Sequence, residues 1–340
     1  MNWHRGFSAL YELRKVDPIT WMDTDELRFT AGTVSRSEDD LQESANLTLT
    51  ESPGECWLRI YLKAKQGNSG ARVPVYTGLA STPRRDLDGV RETYQATCYS
   101  VLKPADDVLV ECGYYVPAGA EGARVAAGLL GVGPAPVFYQ EDGPKLLEPI
   151  VAEDADTHLS IAQQIVRAIG WRIRIGGDGS ISIEPPAVNA LLTLDAMEHD
   201  SVELTISDTQ DWYSVPNCYR ASTGDIYAIA RDDDPDSALS TVSRKALRGG
   251  TGEIWASETG VTLSDDKSLG EYVLERLKEA QAPARTVGYT RRFQPDTTVG
   301  DLVNLHLARY KIDGVFRISR QTITLGHGCR TQEEVVYERN

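Results

Sequence analysis

The run THLSIAQQIVRAIGWRIRIGGDGSISIEPP, from Thr157 to Pro186, changes period halfway along and so declares a helix followed by a hairpin. Asp156 or Thr157 can cap the helix, Ile161, Ile165 and Ile169 make an apolar stripe with Ala162 and Val166 beside it, and Gly170 stands where a left-handed C-cap is needed. Trp171, Ile173 and Ile175 then alternate with Arg172 and Arg174, and Ser180 to Glu184 answers with Ile181 and Ile183. Between them Gly176-Gly177-Asp178-Gly179 is expected to supply the positive backbone dihedrals of a tight hairpin, and Pro185-Pro186 ends the unit. One more short helix is expected over Glu121 to Leu130, ended by Gly131 and broken by Val132-Gly133-Pro134.

Outward from this mixed region the period is two. Towards the N-terminus, Leu58, Ile60 and Leu62 alternate with Arg59, Tyr61 and Lys63, as in a strand with one wet face. Asn46 to Thr50, Val73 to Thr77 and Val90 to Cys98 continue the pattern, with turns at Pro53-Gly54, Gly67 to Gly70 and Asp86 to Gly89. Towards the C-terminus, Val202, Leu204 and Ile206 alternate with polar neighbours, Ile226 to Ala230 reads as a strand, and so do Thr286 to Phe293, Asp301 to Leu307 and Gly314 to Leu325. Ser264 to Gln281 reads as a helix with Leu269, Val273, Leu277 and Ala280 on one face and capping-box spacing between Ser268 and Glu271. The class is β-rich α+β: strands at residues 1–103, whose spacing suggests a small antiparallel barrel or sandwich, and strands around one helix at 201–340 flank a mixed middle region at 104–200. No period of 20 to 50 residues argues for a repeat architecture.

The chain of 340 residues suits two or three domains, and its 41% hydrophobic and 25% charged residues are ordinary globular values. With 35 basic and 50 acidic residues the net charge is −15, which disfavours a grip on a phosphate backbone. The pairs Arg84-Arg85 and Arg291-Arg292 stand alone. No apolar run follows Met1-Asn2-Trp3-His4-Arg5-Gly6, and none approaches the roughly 20 residues of a membrane span, so a soluble protein without a signal peptide and without membrane insertion is expected. Cys56, Cys98, Cys112, Cys218 and Cys329 are scattered and read as free, buried thiols.

The order of these pieces resembles that of bacteriophage tail baseplate hub, or minor tail, proteins: siphophage tail-tip hubs and related contractile-tail hubs. The similarity runs from about Leu27 to about Val335. It takes in Tyr99 to Lys103, the Tyr-x-x-Pro-x-Gly stretch at Tyr114 to Gly119, the helix and Gly-Asp-Gly hairpin at Leu159 to Glu184, and Val215-Pro216-Asn217 leading into a strand. Asp234-Pro235, the helix at Ser268 to Ala280 and the turn Gly300-Asp301-x-Val303 complete it. The resemblance implies a homotrimer whose two barrel-like domains per subunit form a pseudo-sixfold ring on the tail tube. It further implies a location at the virion tail tip after assembly in the host cytoplasm, and contacts with the distal tail protein, the tape measure protein and other tip or receptor-binding proteins. DNA would cross the bore without specific binding, and the charge of −15 suggests a bore lined by carboxylates. Because the chain stops at Asn340, any lytic or adhesive activity is expected on another tip protein.

No catalytic, cofactor or metal residue is assigned. His-Glu-x-x-His, a phosphate loop ending in Lys-Ser/Thr and Gly-x-Ser-x-Gly are all missing, and Gly249-Gly250-Thr251-Gly252 reads as a turn. His4, His158, His199, His306 and His327 are dispersed, and a nucleophilic pairing of Cys98 or Cys329 with a distant histidine has no local support. The alternative function is a tip-associated carbohydrate-active or wall-degrading enzyme using Glu141-Asp142 and Glu153-Asp154 with Asp156. Asp232, Asp233, Asp234 and Asp236 read as an exposed acidic turn in preference to a calcium loop. Trp3, Trp21, Trp212 and Trp255 are interface candidates for which core packing is the expected use.

Overall fold

The computed structural model describes residues 1–38, 43–81, 83–89, 91–195, 202–203, 205–210, 212–223, 226–259, 261, 268–281 and 285–338. They divide into two compact units, Met1–Ser207 with Gly288–Asn340, and Asp208–Val287, a different partition from the three successive parts expected.

The first unit opens with β1 (Ser8–Val16), β2 (Asp23–Leu27), β3 (Phe29–Ser37), β4 (Glu43–Leu49), β5 (Cys56–Gln66), β6 (Ser69–Ala80), β7 (Arg84–Asp88) and β8 (Arg91–Tyr99). The mixed region follows as α1 (Lys103–Asp107), β9 (Tyr115–Val116), α2 (Gly122–Leu130), β10 (Val137–Tyr139), β11 (Ile150–Val151), α3 (His158–Ala168), β12 (Arg172–Ile175) and β13 (Ile181–Glu184). After β14 (Leu192–Asp195) and β15 (Ser207–Gln210) the chain enters the second unit, with β16 (Cys218–Thr223), β17 (Ile226–Arg231), α4 (Thr241–Arg248), β18 (Trp255–Thr259) and α5 (Leu269–Ala280). It returns through β19 (Arg285–Arg292), β20 (Leu302–Leu307), β21 (Ile312–Thr324) and β22 (Arg330–Tyr337).

A β-rich α+β class is what forms, but the strands on either side of the mixed region do not make two barrels. They join one 14-stranded sheet whose path runs β15-β19-β22-β21-β3-β4-β8-β6-β5-β1-β2, with β7 on β8, β20 on β21 and β14 on β20. The reason is the antiparallel pairing of β3 with β21, from Arg320 opposite Ser37 to Thr324 opposite Thr33, which fuses the two ends of the sequence into a single sheet. Among the described residues the path stays open and no barrel closes. Leu58, Ile60 and Leu62 face a core shared with Leu13, Leu47, Tyr76, Phe293 and Ile323. The other face of β5 is not wet as expected, because Arg59 and Tyr61 are buried too.

A polar ladder crosses this sheet at right angles to the strands. Arg291 on β19 donates to Glu333 on β22 at 2.7 and 2.5 Å. Gln321 on β21 donates to Glu333 at 2.8 Å and accepts from Arg36 on β3 at 2.8 Å. Arg36 then donates to Glu43 on β4 at 2.5 Å, and its remaining amino group reaches Val75 O at 2.5 Å. Gln321 lies directly opposite both Glu333 and Arg36, and Arg36 opposite Glu43. All five side chains are buried. Burial pushes the Glu43 carboxyl up, with Arg36 opposing the shift.

The mixed region has its own core. Thr157, not Asp156, caps α3 in a capping box with Ser160, and Gly170 takes φ +69° behind it. The buried stripe Ile161, Ala162, Ile165, Val166 and Ile169 packs with Ala126 and Leu130 of α2 and with Ile173, Ile181 and Ile183 of the small sheet β10-β13-β12. Gly122 lets the two helices meet, since a Cβ there would lie 2.6 Å from Ile169. Gly131 ends α2 as expected, but with φ −75°.

In the second unit the sheet β17-β16-β18 carries α5 on one face through Tyr219, Ala221, Ala230, Leu269, Val273 and Leu277. The Ser268–Glu271 capping box forms, and the expected start of that helix at Ser264 lies outside the described residues. Val202 makes only an isolated bridge to Arg291, Leu204 is not among the described residues, and the strand begins at Ser207, later than the alternation suggests.

Removing one partner from a buried ion pair strands the other charge in a low-dielectric interior. Glu333→Ala is therefore expected to destabilise the first unit by about 3–5 kcal/mol, whereas Arg291→Met with Glu333→Leu costs far less. Urea unfolding of the two variants checks the difference.

Candidate functional site

The hairpin of the mixed region touches β5 and β6 of the large sheet on one side and the segment leading into β20 on the other. On one side Thr77 Oγ1 donates to Gly177 O at 2.9 Å, and Asp178 O accepts from Arg59 Nη2 at 3.0 Å and from Trp21 Nε1 at 3.1 Å. Arg59 is in turn fixed by Asp23 at 2.9 Å. Of the four turn residues only Gly179 has positive φ, at +80°. Gly177 is required for a different reason: a Cβ there would lie 2.2 Å from Pro74 O. The glycines thus serve close approach to β6 as much as chain reversal.

On the other side Asp301, wholly buried, takes Arg172 Nη1 at 2.9 Å on one oxygen and Arg174 Nη2 at 3.4 Å on the other. The second oxygen also accepts from the Thr298 N–H at 2.9 Å, and Arg172 donates to Gly300 O at 2.7 Å. Glu184, across the hairpin, holds Arg172 at 2.6 Å. The Gly300-Asp301 turn and the Arg172-x-Arg174 strand, read separately in the sequence, are two halves of one contact.

The carboxylates weighed for hydrolysis are dispersed in their duties. Glu141 and Asp142 line a cavity of about 180 Å³ with Glu121, Arg124 and Tyr139. Glu153 and Asp154 do not line it, and Asp156 is engaged at the start of α3, accepting from Ser160 Oγ and Glu153 N at 2.8 Å each. A second cavity, about 160 Å³, lies beside Trp171, Arg167 and Val299. Both fall below the roughly 300–1,000 Å³ of ligand pockets.

In the second unit the acidic loop is exposed at Asp233, Asp234 and Asp236, as expected, and its carboxylates take nearby partners. Asp232 accepts from Ser237 Oγ at 2.8 Å and Gln281 Nε2 at 2.6 Å, Asp234 accepts from the Asp236 N–H at 2.9 Å, and Asp233 accepts from Thr241. Among the described residues no cluster of three or more His, Cys, Asp or Glu could hold a metal ion. The residue that organises this unit is Asn217, fully buried: its amide donates to Leu239 O at 3.0 Å and Gly252 O at 2.8 Å and accepts from Ile254 N at 2.7 Å. Gly249, Gly250 and Gly252 all have positive φ, as a turn requires.

The five cysteines are free. Burial pushes the Cys98 thiol up to about 12 and those of Cys218 and Cys329 to about 11, away from thiolate chemistry, while Cys112 is exposed. His306 is exposed and pairs with Asp313 at 3.0 Å, His158 meets Leu129 O, and His199 lies outside the described residues. Trp3 packs on Phe7 and Phe293 and Trp21 on Trp57, as expected, but Trp212 and Trp255 are exposed. No helix among the described residues is long and apolar enough to cross a membrane.

On β1, Glu12 gathers three cations: Arg14 and Lys63 at 2.5 Å and Arg72 at 3.2 Å. Hydrogen bonds from Arg72 and Lys63, then Arg14, hold its carboxyl down at about 2.

No protein-family model matches the chain, and neither does any curated protein. Solved structures do. The tail protein of Neisseria meningitidis MC58 superposes with a TM-score of 0.67 at 12% identity, over 97% of this chain and 96% of that one. The 43 kDa tail protein of prophage MuSo2 from Shewanella oneidensis gives 0.64 at 12% identity, over 96% and 98%. The prophage tail protein gp18 of Listeria monocytogenes EGD-e gives 0.56 at 11%, over 97% and 95%. The fold is that of these tail proteins, end to end.

Two measurements probe the geometry. Asp301→Ala leaves Arg172 and Arg174 without their buried acceptor and should cost about 2–3 kcal/mol, with hydrogen exchange accelerating first at Gly176 to Gly179. Glu12 has a folded pKa below its ordinary 4.5, so its contribution is complete above about 4.5 and is lost as pH falls towards about 2. Because its cations are partly exposed, Glu12→Gln should cost about 1–2 kcal/mol at pH 7. Thermal melts across that acid range should show the gap between variant and wild type closing.

Proposed function

We propose that this chain is a structural hub of a phage-type tail tip. Three copies form a ring that caps the tail tube, receives the distal tail protein and the end of the tape measure protein, holds the other tip proteins and leaves a channel for DNA. The observation that carries the reading is the end-to-end likeness in fold to three bacterial tail proteins, two of them from prophages, each matched over 95% or more of the solved chain.

The architecture supports a binding role in preference to a catalytic one. The buried charged groups of the first unit are engaged with one another in holding strands and the hairpin in place. Of the carboxylates weighed for hydrolysis, Glu141 and Asp142 line one cavity below ligand size, and Glu153, Asp154 and Asp156 do not line it. The net charge of −15 suits a bore that phosphate must traverse without adhering.

Size-exclusion chromatography with light scattering, on the chain alone and mixed with the distal tail protein of the same phage or prophage, tests the reading. A mass of three chains, alone or within the mixture, is expected. A monomer in both samples, together with release of sugar or peptide from host walls that Glu141→Gln or Glu153→Gln abolishes, would replace the hub by the enzyme.

A further inference from the structure

The second unit carries an exposed aromatic segment whose backbone is fixed from beneath. Arg244 on α4 is buried, and its guanidinium donates from Nη2 to Trp212 O at 2.7 Å and from Nη1 to Tyr213 O at 3.3 Å. One turn further on, Arg248 donates to Tyr213 O at 3.3 Å and lies 4.6 Å from the centre of the Tyr213 ring. The side chains held in this way face solvent: Trp212 is 49% exposed, Tyr213 77% and Leu247, on the last turn of α4, 82%.

The core cluster of this unit, around Val273 and Leu277 of α5, includes neither aromatic. Holding the two rings in place at the surface prepares a binding surface. Trp, Tyr and Arg carry most of the free energy at protein interfaces, and a segment ordered beforehand loses little conformational freedom on docking. The charge on the patch selects the partner. Lys245 and Arg248 are both exposed, and among the described residues neither has a carboxylate within ion-pair distance. On a chain of net charge −15, two exposed cations with no carboxylate partner beside an apolar surface complement carboxylates grouped around an apolar side chain.

Resting on the hub reading, we propose that Trp212, Tyr213, Lys245, Leu247 and Arg248 form the docking surface for an acidic segment of another tail protein. The probes are the distal tail protein, the C-terminal segment of the tape measure protein and the tip proteins of the same phage or prophage, each purified and titrated against the full chain by biolayer interferometry. At least one should bind, more weakly as salt rises. Tyr213→Ala and Leu247→Glu should each weaken that binding by roughly tenfold or more, and Arg248→Glu more than Arg248→Ala. Leu247→Glu touches no hydrogen bond of Arg244 or Arg248, so an unchanged melting temperature in that variant separates docking from folding.

Equal binding by wild type and all variants would overturn the docking surface while leaving the hub intact. Binding to none of the tail proteins would overturn both. If the variants instead lose only self-association, or only binding to soluble wall oligosaccharides, the surface serves a second copy or a sugar, and the proposal fails.

Discussion

Glu333 lies without solvent between Arg291 and Gln321, and Gln321 passes the contact to Arg36 and Glu43. This chain of hydrogen bonds fixes the register of neighbouring strands β19, β22, β21, β3 and β4 at once. A one-residue slip of any of them turns its side chains to the opposite face and leaves a buried charge unpaired. Apolar residues of the same volume could match the ladder in stability, but they would tolerate such slips. The ladder matters because β3 and β21 come from opposite ends of the sequence, and no turn is available to set their pairing.

The hairpin seat follows from that fused sheet. β6 and the segment from Thr298 to Asp301 belong to sequence regions more than two hundred residues apart, and the hairpin touches both. Its two arginines on β12 reach Asp301 while its turn lies against Pro74 and Thr77, so β12 and its turn record whether the two ends have come together correctly. α3 hands the chain directly to this hairpin through Gly170, and its apolar stripe ties the helical layer to the same place.

Much of this was legible in the sequence, and the failures have identifiable causes. The helix-hairpin, α2 and the cap of α5 were readable because each depends on local spacing. Arg291 and Glu333 could also have been found, since each is in phase with inward-facing apolar neighbours: Val287 and Tyr289 on β19, and Val335 on β22. Gln321 could not, because a bulge between Ile318 and Arg320 changes the phase of β21 midway and brings Gln321 to the buried side together with Ile323. The single shared sheet was out of reach for a related reason: period-two patterning shows that a strand has two faces but not which distant strand lies beside it. Arg59 illustrates the limit, because its polar position on β5 reads as wet and is in fact covered by the hairpin turn.

Among the described residues the buried charges balance, four arginines against Glu12, Glu43, Asp301 and Glu333. Arg36, Arg59, Arg244 and Arg291 are all buried, and each spends its guanidinium on carboxylates, carbonyls or side-chain oxygens of other segments. A planar fork that can meet several acceptors in fixed geometry is suited to joining strands and loops distant in sequence, where a lysine would offer one mobile point charge. Arg248 is exposed, and its guanidinium lies beside the Tyr213 ring. The same residue type therefore does two things here: buried, it defines which segments belong together, and exposed beside Tyr213, it marks where another molecule belongs.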